Sequence, residues 1–334
     1  MKDRVACVVA VVLVVACFMC GGVSANDVPR VVHVYVALCD NEHQGIEPVP
    51  KALGDGEDLE RNLYWGAMYG VKTFFSRSAM WSLVATVEKP SDAVLERVVF
   101  RHPLGVYLVA DAYKGSEIKR ASVGFLDAAS GKAKETITVR VGEREVSFEA
   151  GGAADLVAYV GHNGLMDFDL PEEDGGKTEK DDGDTTNDSS GGTAGTSGSD
   201  HGESDARGDD TARADGATDA ADEASTDAAA SGDGVPGDAA ASRDAAVSRD
   251  AVVLCCMSES YFAKRLEKAG MRPLLTTTGL MAPEAYSLKA ALDGWIANES
   301  AEQIRVRAAR AYDEYQDCNL GAAKRLFGVI GRDE

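Results

Sequence analysis

Two residue types in this chain of 334 residues offer nucleophilic chemistry where apolar runs stop. Leu254-Cys255-Cys256-Met257-Ser258 closes one run with a thiol, and Val160-Gly161-His162-Asn163-Gly164 closes another with an imidazole. A thiolate is the reactive form of cysteine, a neighbouring imidazole generates or stabilises it, and a third polar group fixes the ring. Asn41, in Leu38-Cys39-Asp40-Asn41 after the first apolar run, is the candidate for that third group. The backbone amides of Asn163 or Gly164 and of Cys256 are candidates for an oxyanion hole that would hold an acyl intermediate.

For these residues to meet, their runs must be neighbouring strands. Val31 to Leu38, Val106 to Ala110, Asp155 to Val160, Ala251 to Leu254 and Pro273 to Thr277 read as buried strands. Between and after them, Asn62 to Phe75, Ser116 to Ala129, Glu259 to Ala269, Glu284 to Asn298 and Glu302 to Phe327 read as helices. Trp81 to Val87 and Val94 to Phe100 read as strands or short amphipathic pieces, and Thr136 to Val141 with Glu145 to Phe148 as a hairpin about Gly142. Such alternation predicts a mostly parallel sheet with helices on both faces, a three-layer α/β sandwich. In these sheets functional groups collect beyond the carboxyl ends of the strands, where Asn41, His162 and Cys256 fall.

The domain is split in the sequence. Residues 171–250 are Asp, Ala, Gly, Ser and Thr with almost nothing aromatic or branched, too little apolar surface to offset ordering entropy, so a disordered insert is predicted. The insert holds 22 acidic and 6 basic residues, about −16 of the formal −21, so the flanking parts, 29–170 and 251–334, are only mildly acidic. No nucleic-acid surface is implied.

Residues 1–25 have the order of a secretory signal: Lys2 and Arg4, the apolar stretch Val5 to Met19, then small residues ending at Ala25. Val14-Val15-Ala16-Cys17 also fits a lipobox, which would anchor the mature protein to a membrane through a lipid on Cys17. Either route leads out of the cytoplasm, to the periplasm or beyond. Cys39, Cys255, Cys256 and Cys318 remain after the signal, at spacings that make no disulfide framework.

Other chemistries lack their motifs. No phosphate-cradling glycine loop, serine elbow or nicotinamide fingerprint is present, and no cofactor is expected. His33, His43, His102 and His201 show no zinc-ligand spacing, and Gly54-Asp55-Gly56-Glu57-Asp58 reads as a solvated turn rather than a calcium loop.

The runs ending in His162 and in Cys256, with Ser258 two residues further, resemble the caspase-like cysteine peptidases, the group of caspases, gingipains and legumains, and legumain-like peptidases most. Thr276-Thr277-Thr278-Gly279-Leu280-Met281-Ala282-Pro283-Glu284-Ala285-Tyr286-Ser287 is similar to a run bordering that family's primary specificity pocket. The resemblance implies a caspase-like sandwich and an endopeptidase acting on a peptide or protein substrate. Cys256 would be the nucleophile, His162 the proton carrier and Asn41 the group orienting the ring, with Ser258, Glu259, Thr278, Tyr286 and Ser287 around the pocket.

Two departures bear on activity. The glycine expected directly after the histidine stands one place late, at Gly164, and Glu259 replaces the glycine that usually follows the nucleophile's serine. Glu259 either lines a pocket for a basic side chain or opens a helix, where its charge suits the dipole. Both cysteines could be packing residues, but alternation along a strand sends them to opposite faces, and Cys256 comes last. Asp40-Asn41 is also ordinary turn chemistry. The alternative is a caspase-like module that binds or scaffolds without turnover.

Overall fold

Valine-rich runs flanked by turn residues suit a pleated surface buried on both sides, and they form the centre of one sheet. The computed structural model describes residues 28–170 and 249–328, which belong to one unit. The proposed signal segment, Cys17, His201 and nearly all of the acidic insert lie outside the described residues.

The strands are β1 (Arg30–Ala37), β2 (Ser82–Glu88), β3 (Val94–Arg101), β4 (Val106–Tyr113), β5 (Lys134–Val141), β6 (Arg144–Gly151), β7 (Leu156–Val160), β8 (Asp250–Leu254), β9 (Arg272–Thr277) and β10 (Phe327–Gly328). Eight of them make one sheet in the order β10-β9-β8-β7-β1-β4-β3-β2, and β5 pairs with β6 alone. The middle strands β4, β1, β7, β8 and β9 are parallel, while β3, β2 and β10 add antiparallel edges. The fold is therefore α/β with a mixed, mostly parallel sheet.

Helices cover both faces. The period of two sends Val32, Val34 and Val36 of β1 to one core with Leu156, Ala158, Val160, Val252 and Leu254. That core is closed by α1 (Val71–Ser76), α4 (Ala285–Ile296), α5 (Ala301–Gln316) and α6 (Leu320–Leu326). Val31, Tyr35, Val157, Tyr159, Val253 and Cys255 face the other core, under α2 (Ile118–Ala129), α3 (Ser258–Lys268) and the β5–β6 hairpin.

Three expectations need correction. The predicted helix from Asn62 begins only at Val71, because the side chain of Asn62 is buried as a bridge instead. Its Oδ1 accepts from the amides of Cys39 and Tyr64, and its Nδ2 donates to the carbonyls of Cys39 and Asp55. The long helix predicted over Glu302 to Phe327 breaks in two, since Asp317 (φ 50°) and Asn319 (φ 63°) take left-handed conformations and the Asn319 side chain caps the amide of Ala322. The second half of the domain also starts earlier than residue 251. Asp250 already pairs in β8, and its carboxylate accepts from Arg272 Nε at 2.7 Å and from Trp295 Nε1 at 2.8 Å.

Candidate active site at the carboxyl rim of β7 and β8

β7 and β8 run parallel in a register that pairs Val160 with Leu254, so His162 and Cys256 each stand two residues past a shared last rung. The amide of Gly161 still donates to Leu254 O, and Gly161 (φ 143°) has Ala37 O so close that a Cβ there would meet it at 2.6 Å. Only glycine fits where the chain leaves the sheet at this point. Asn163, wholly buried, then donates its Nδ2 to the carbonyl oxygen of Cys256 at 2.7 Å. The histidine loop and the cysteine loop, 94 positions apart, are thereby tied at one rim.

The same Asn163 accepts from the amide of Leu165 and opens a short 3-10 turn over Gly164–Met166. That turn carries Asp167 back onto the histidine. His162 Nε2 lies 2.8 Å from Asp167 Oδ2, and the Gly45 amide donates to the same oxygen at 3.0 Å. Tyr159 Oη, donating to the His162 carbonyl at 2.8 Å, holds the backbone below the ring. Gly164 is packed for another reason: a Cβ would press on Phe168 at 2.8 Å and Ile118 at 3.0 Å, so the late glycine serves the fit of this loop against α2.

Cys256 is half-buried, whereas Cys255 points into the core beneath α3 and burial pushes its thiol well above the usual range. Cys39 is buried as well, and desolvation moves its thiol up to about 11. The sulfur of Cys256 accepts from the Met281 amide at 3.4 Å and lies 3.6 Å from the Met281 carbonyl. Directly after it, Met257 adopts a left-handed conformation (φ 52°, ψ 33°), a cost of about 1–2 kcal/mol for a side-chain-bearing residue. Its amide is held by Gly279 O at 2.8 Å, and α3 begins at the next residue. The strand-to-helix turn thus presents Cys256 at the amino end of an 11-residue helix, whose dipole favours a thiolate.

Several residues assigned roles from the sequence are placed otherwise. Asn41 does not touch the histidine: its Nδ2 donates to Val49 O at 2.9 Å and its Oδ1 accepts from Val49 N at 3.0 Å, so it clasps the loop after β1. Asp167 stands where Asn41 was expected. Ser258 is fully buried, bonded through Oγ to Val253 O and Thr277 Oγ1, and it stitches β8, β9 and α3 together rather than lining a pocket. Tyr286 is likewise sunk in the core, stacked on Tyr315 at 4.5 Å and bonded to Glu284 and Gln316, and Ser287 beside it is fully buried.

Thr278 is exposed but spends its hydroxyl on the carbonyl of Arg325 at 2.7 Å. Glu259 lies in the first turn of α3 and accepts from Thr276 Oγ1 at 3.3 Å, which matches a helix-opening role. Of the candidate residues, then, the structure brings Cys256, His162 and Asn163 to one rim, shows Asp167 bonded to the histidine ring, and ties the side chain of Asn41 to Val49 instead. The signal for Asp167 was present in the sequence, an Asn-Gly turn after the histidine followed by a carboxylate, but local spacing alone does not say which way such a turn folds.

A second His–carboxylate group lies elsewhere. His33, Asp111 and Glu135 bring three ligand-type atoms within 4.8 Å of one another. Their lone pairs are already engaged, because Arg97 donates to both Asp111 oxygens at 2.6 and 2.7 Å and to Glu135 at 2.7 and 2.9 Å. The Gly151 amide donates to His33 Nδ1 at 2.9 Å, which leaves Nε2 as the protonated nitrogen facing Asp111 at 3.2 Å. A guanidinium supplies the cation here, and the cluster fastens the β5–β6 hairpin to the sheet.

Comparison with known protein families, with curated proteins and with solved structures yields no match.

Proposed function

We propose that the chain is an exported caspase-like cysteine endopeptidase that uses Cys256 and His162. The observation that carries this reading is the rim itself: a half-buried thiol at a helix amino end, tied through Asn163 to the loop of an oriented histidine. In the proposed reaction the Cys256 thiol gives its proton to the imidazole, and the thiolate attacks the carbonyl carbon of a peptide bond. The C–N bond then breaks as the imidazolium protonates the leaving amine, and water hydrolyses the thioester. The Met281 amide, 3.4 Å from the sulfur, supports the thiolate. The caspase-like assignment is supported by the mostly parallel sheet and by the place of both groups beyond the carboxyl ends of adjacent strands.

A second reading, a binding module without turnover, is favoured by the burial of Ser258, Tyr286 and Ser287, which removes them from any specificity pocket. Alkylation of the purified chain separates the two. Under the peptidase reading Cys256 reacts with iodoacetamide faster than the other thiols at pH 7, and His162→Ala slows it by about a hundredfold. Equal, slow labelling of Cys256 and Cys318 with or without His162 would leave only the binding module.

A further inference from the structure

Resting on that reading, we infer that Asp167 is the positioning residue of the site, so that the working unit is Cys256–His162–Asp167 and not a dyad completed by Asn41. An ionised carboxylate only accepts hydrogen bonds, so the 2.8 Å contact places the ring proton of neutral His162 on Nε2. Nδ1 is left with the lone pair that receives the Cys256 proton. When the thiol proton moves to Nδ1, the Sγ–H bond breaks, an Nδ1–H bond forms, and the ring becomes a cation beside the Asp167 carboxylate. That carboxylate keeps its own protonation state throughout, and its charge stabilises the imidazolium.

The neighbourhood suits this work. Gly45 also donates to Asp167 Oδ2, at 3.0 Å, so the oxygen is held from the loop after β1 while its side chain stays about 28% exposed. A Cβ on Gly45 would meet Asp167 Oδ1 at 2.4 Å, so a side chain there would push the carboxylate off its present position. His162 itself is buried, with its carbonyl fixed by Tyr159, so the ring has little freedom to seek another partner. Of the charged side chains on the elements packed around the loop, Asp40 bonds His43 at 2.9 Å, Arg265 of α3 donates to the Leu170 carbonyl at 3.0 Å, and Lys119 of α2 lies 5.6 Å over the Phe168 ring, while Tyr64, Cys255 and Tyr312 are the titratable groups that interact with Cys256. Of the carboxylates in these contacts, it is Asp167 that bonds the ring.

The test is the pH dependence of iodoacetamide labelling at Cys256 in the full chain, for wild type, Asp167→Ala, Asp167→Asn and His162→Ala. Loss of a charge-assisted bond to the imidazolium slows labelling by about ten- to a hundredfold near pH 7. At high pH, where the thiol ionises without help, the rate returns to that of wild type. A variant that merely disturbs the loop slows labelling at every pH, and that result overturns the inference. Asp167→Asn, which keeps the shape, is expected to show the same low-pH deficit, and its equality with wild type also overturns the inference. The double variant His162→Ala/Asp167→Ala should label no more slowly than His162→Ala alone. If His162→Ala itself labels like wild type, the peptidase reading fails; if only Asp167→Ala does, that reading stands and the triad is wrong.

Discussion

Among the described residues three histidines bond an aspartate, and the two of them that are buried, His33 and His162, are set apart by their surroundings. His162 and Asp167 meet at 2.8 Å on the rim beyond β7, the rim that also carries the half-buried Cys256. His33 and Asp111 meet at 3.2 Å on adjacent strands in the middle of the sheet, under a hairpin, with Arg97 clamped on the carboxylate. The first pair leaves Nδ1 of the ring outside the contact, on a loop tied through Asn163 to the loop of Cys256. In the second pair the Gly151 amide takes one nitrogen and Asp111 the other, and the nearest ring is Tyr35, stacked at 4.6 Å. A histidine–aspartate contact is therefore no sign of catalysis by itself. What decides is whether the remaining nitrogen faces a group that can lose a proton or is spent on backbone.

The comparison breaks most sharply at Arg97. Its guanidinium is mostly buried between Asp111 and Glu135, and removing it leaves a buried carboxylate without its partner. Arg97→Met should destabilise the fold by about 3–5 kcal/mol, read from urea unfolding at pH 7. Labelling of Cys256 should be unchanged at temperatures where the variant remains folded. Asp167→Ala is expected to do the reverse, costing under about 1 kcal/mol because its side chain is partly solvated while slowing the thiol. Equal losses of stability in the two variants would dissolve the distinction drawn here.

Acid provides the next largest effect. Burial pushes the Asp111 carboxyl up, but hydrogen bonds from Arg97 and His33 outweigh it and hold the group at about 2. A carboxyl depressed from its usual value of 3.8 contributes stability that is complete above that value and is lost as pH falls toward 2. From pH 5 to pH 2 the wild-type chain should therefore lose about 2 kcal/mol through this group. Asp111→Asn should lack that component of the decline in a urea titration, though it starts from lower stability at pH 5. Parallel stability curves for the two proteins would show that the clamp does not hold the charge.

The central strands could be read from the sequence because their valine runs need no long-range information to be recognised as doubly buried. The rim positions of His162 and Cys256 followed from where those runs stop. The helical pattern from Asn62 is real, yet the buried Asn62 amide bridges to the carbonyls of Cys39 and Asp55, a tertiary contact that local periodicity does not reveal, and the helix starts only at Val71. The pocket assigned to Ser258, Tyr286 and Ser287 was not legible either. Hydroxyl-bearing residues look alike on a pocket wall and in a core, and tertiary partners such as Thr277, Gln316 and Tyr315 decide between the two. Asp167 and Asn41 are both polar residues in turns near a strand end, and the direction of each turn separates the one that reaches the ring from the one that clasps Val49.

The adjacent cysteines sharpen the same contrast within two residues, at the smallest scale of effect. Strand alternation sends Cys255 into the core beneath α3, where it is fully enclosed with a thiol raised by burial, and leaves Cys256 just past the last rung with backbone of Met281 around its sulfur. Cys255→Ala should remove one buried sulfur and leave a small cavity, lowering stability by about 1 kcal/mol with the labelling rate of Cys256 unaltered. Cys256→Ala should abolish the fast labelling while shifting stability by no more than about 0.5 kcal/mol, since a half-buried side chain gives up little on truncation. Quantified by urea midpoints and by mass spectrometry of alkylated peptides, a reversal of those two columns, with the core cysteine reactive and the rim cysteine structural, would mean that the β8 register has slipped by one residue. Such a slip moves every side chain of the strand to the opposite face and carries the Cys256 thiol away from the histidine loop.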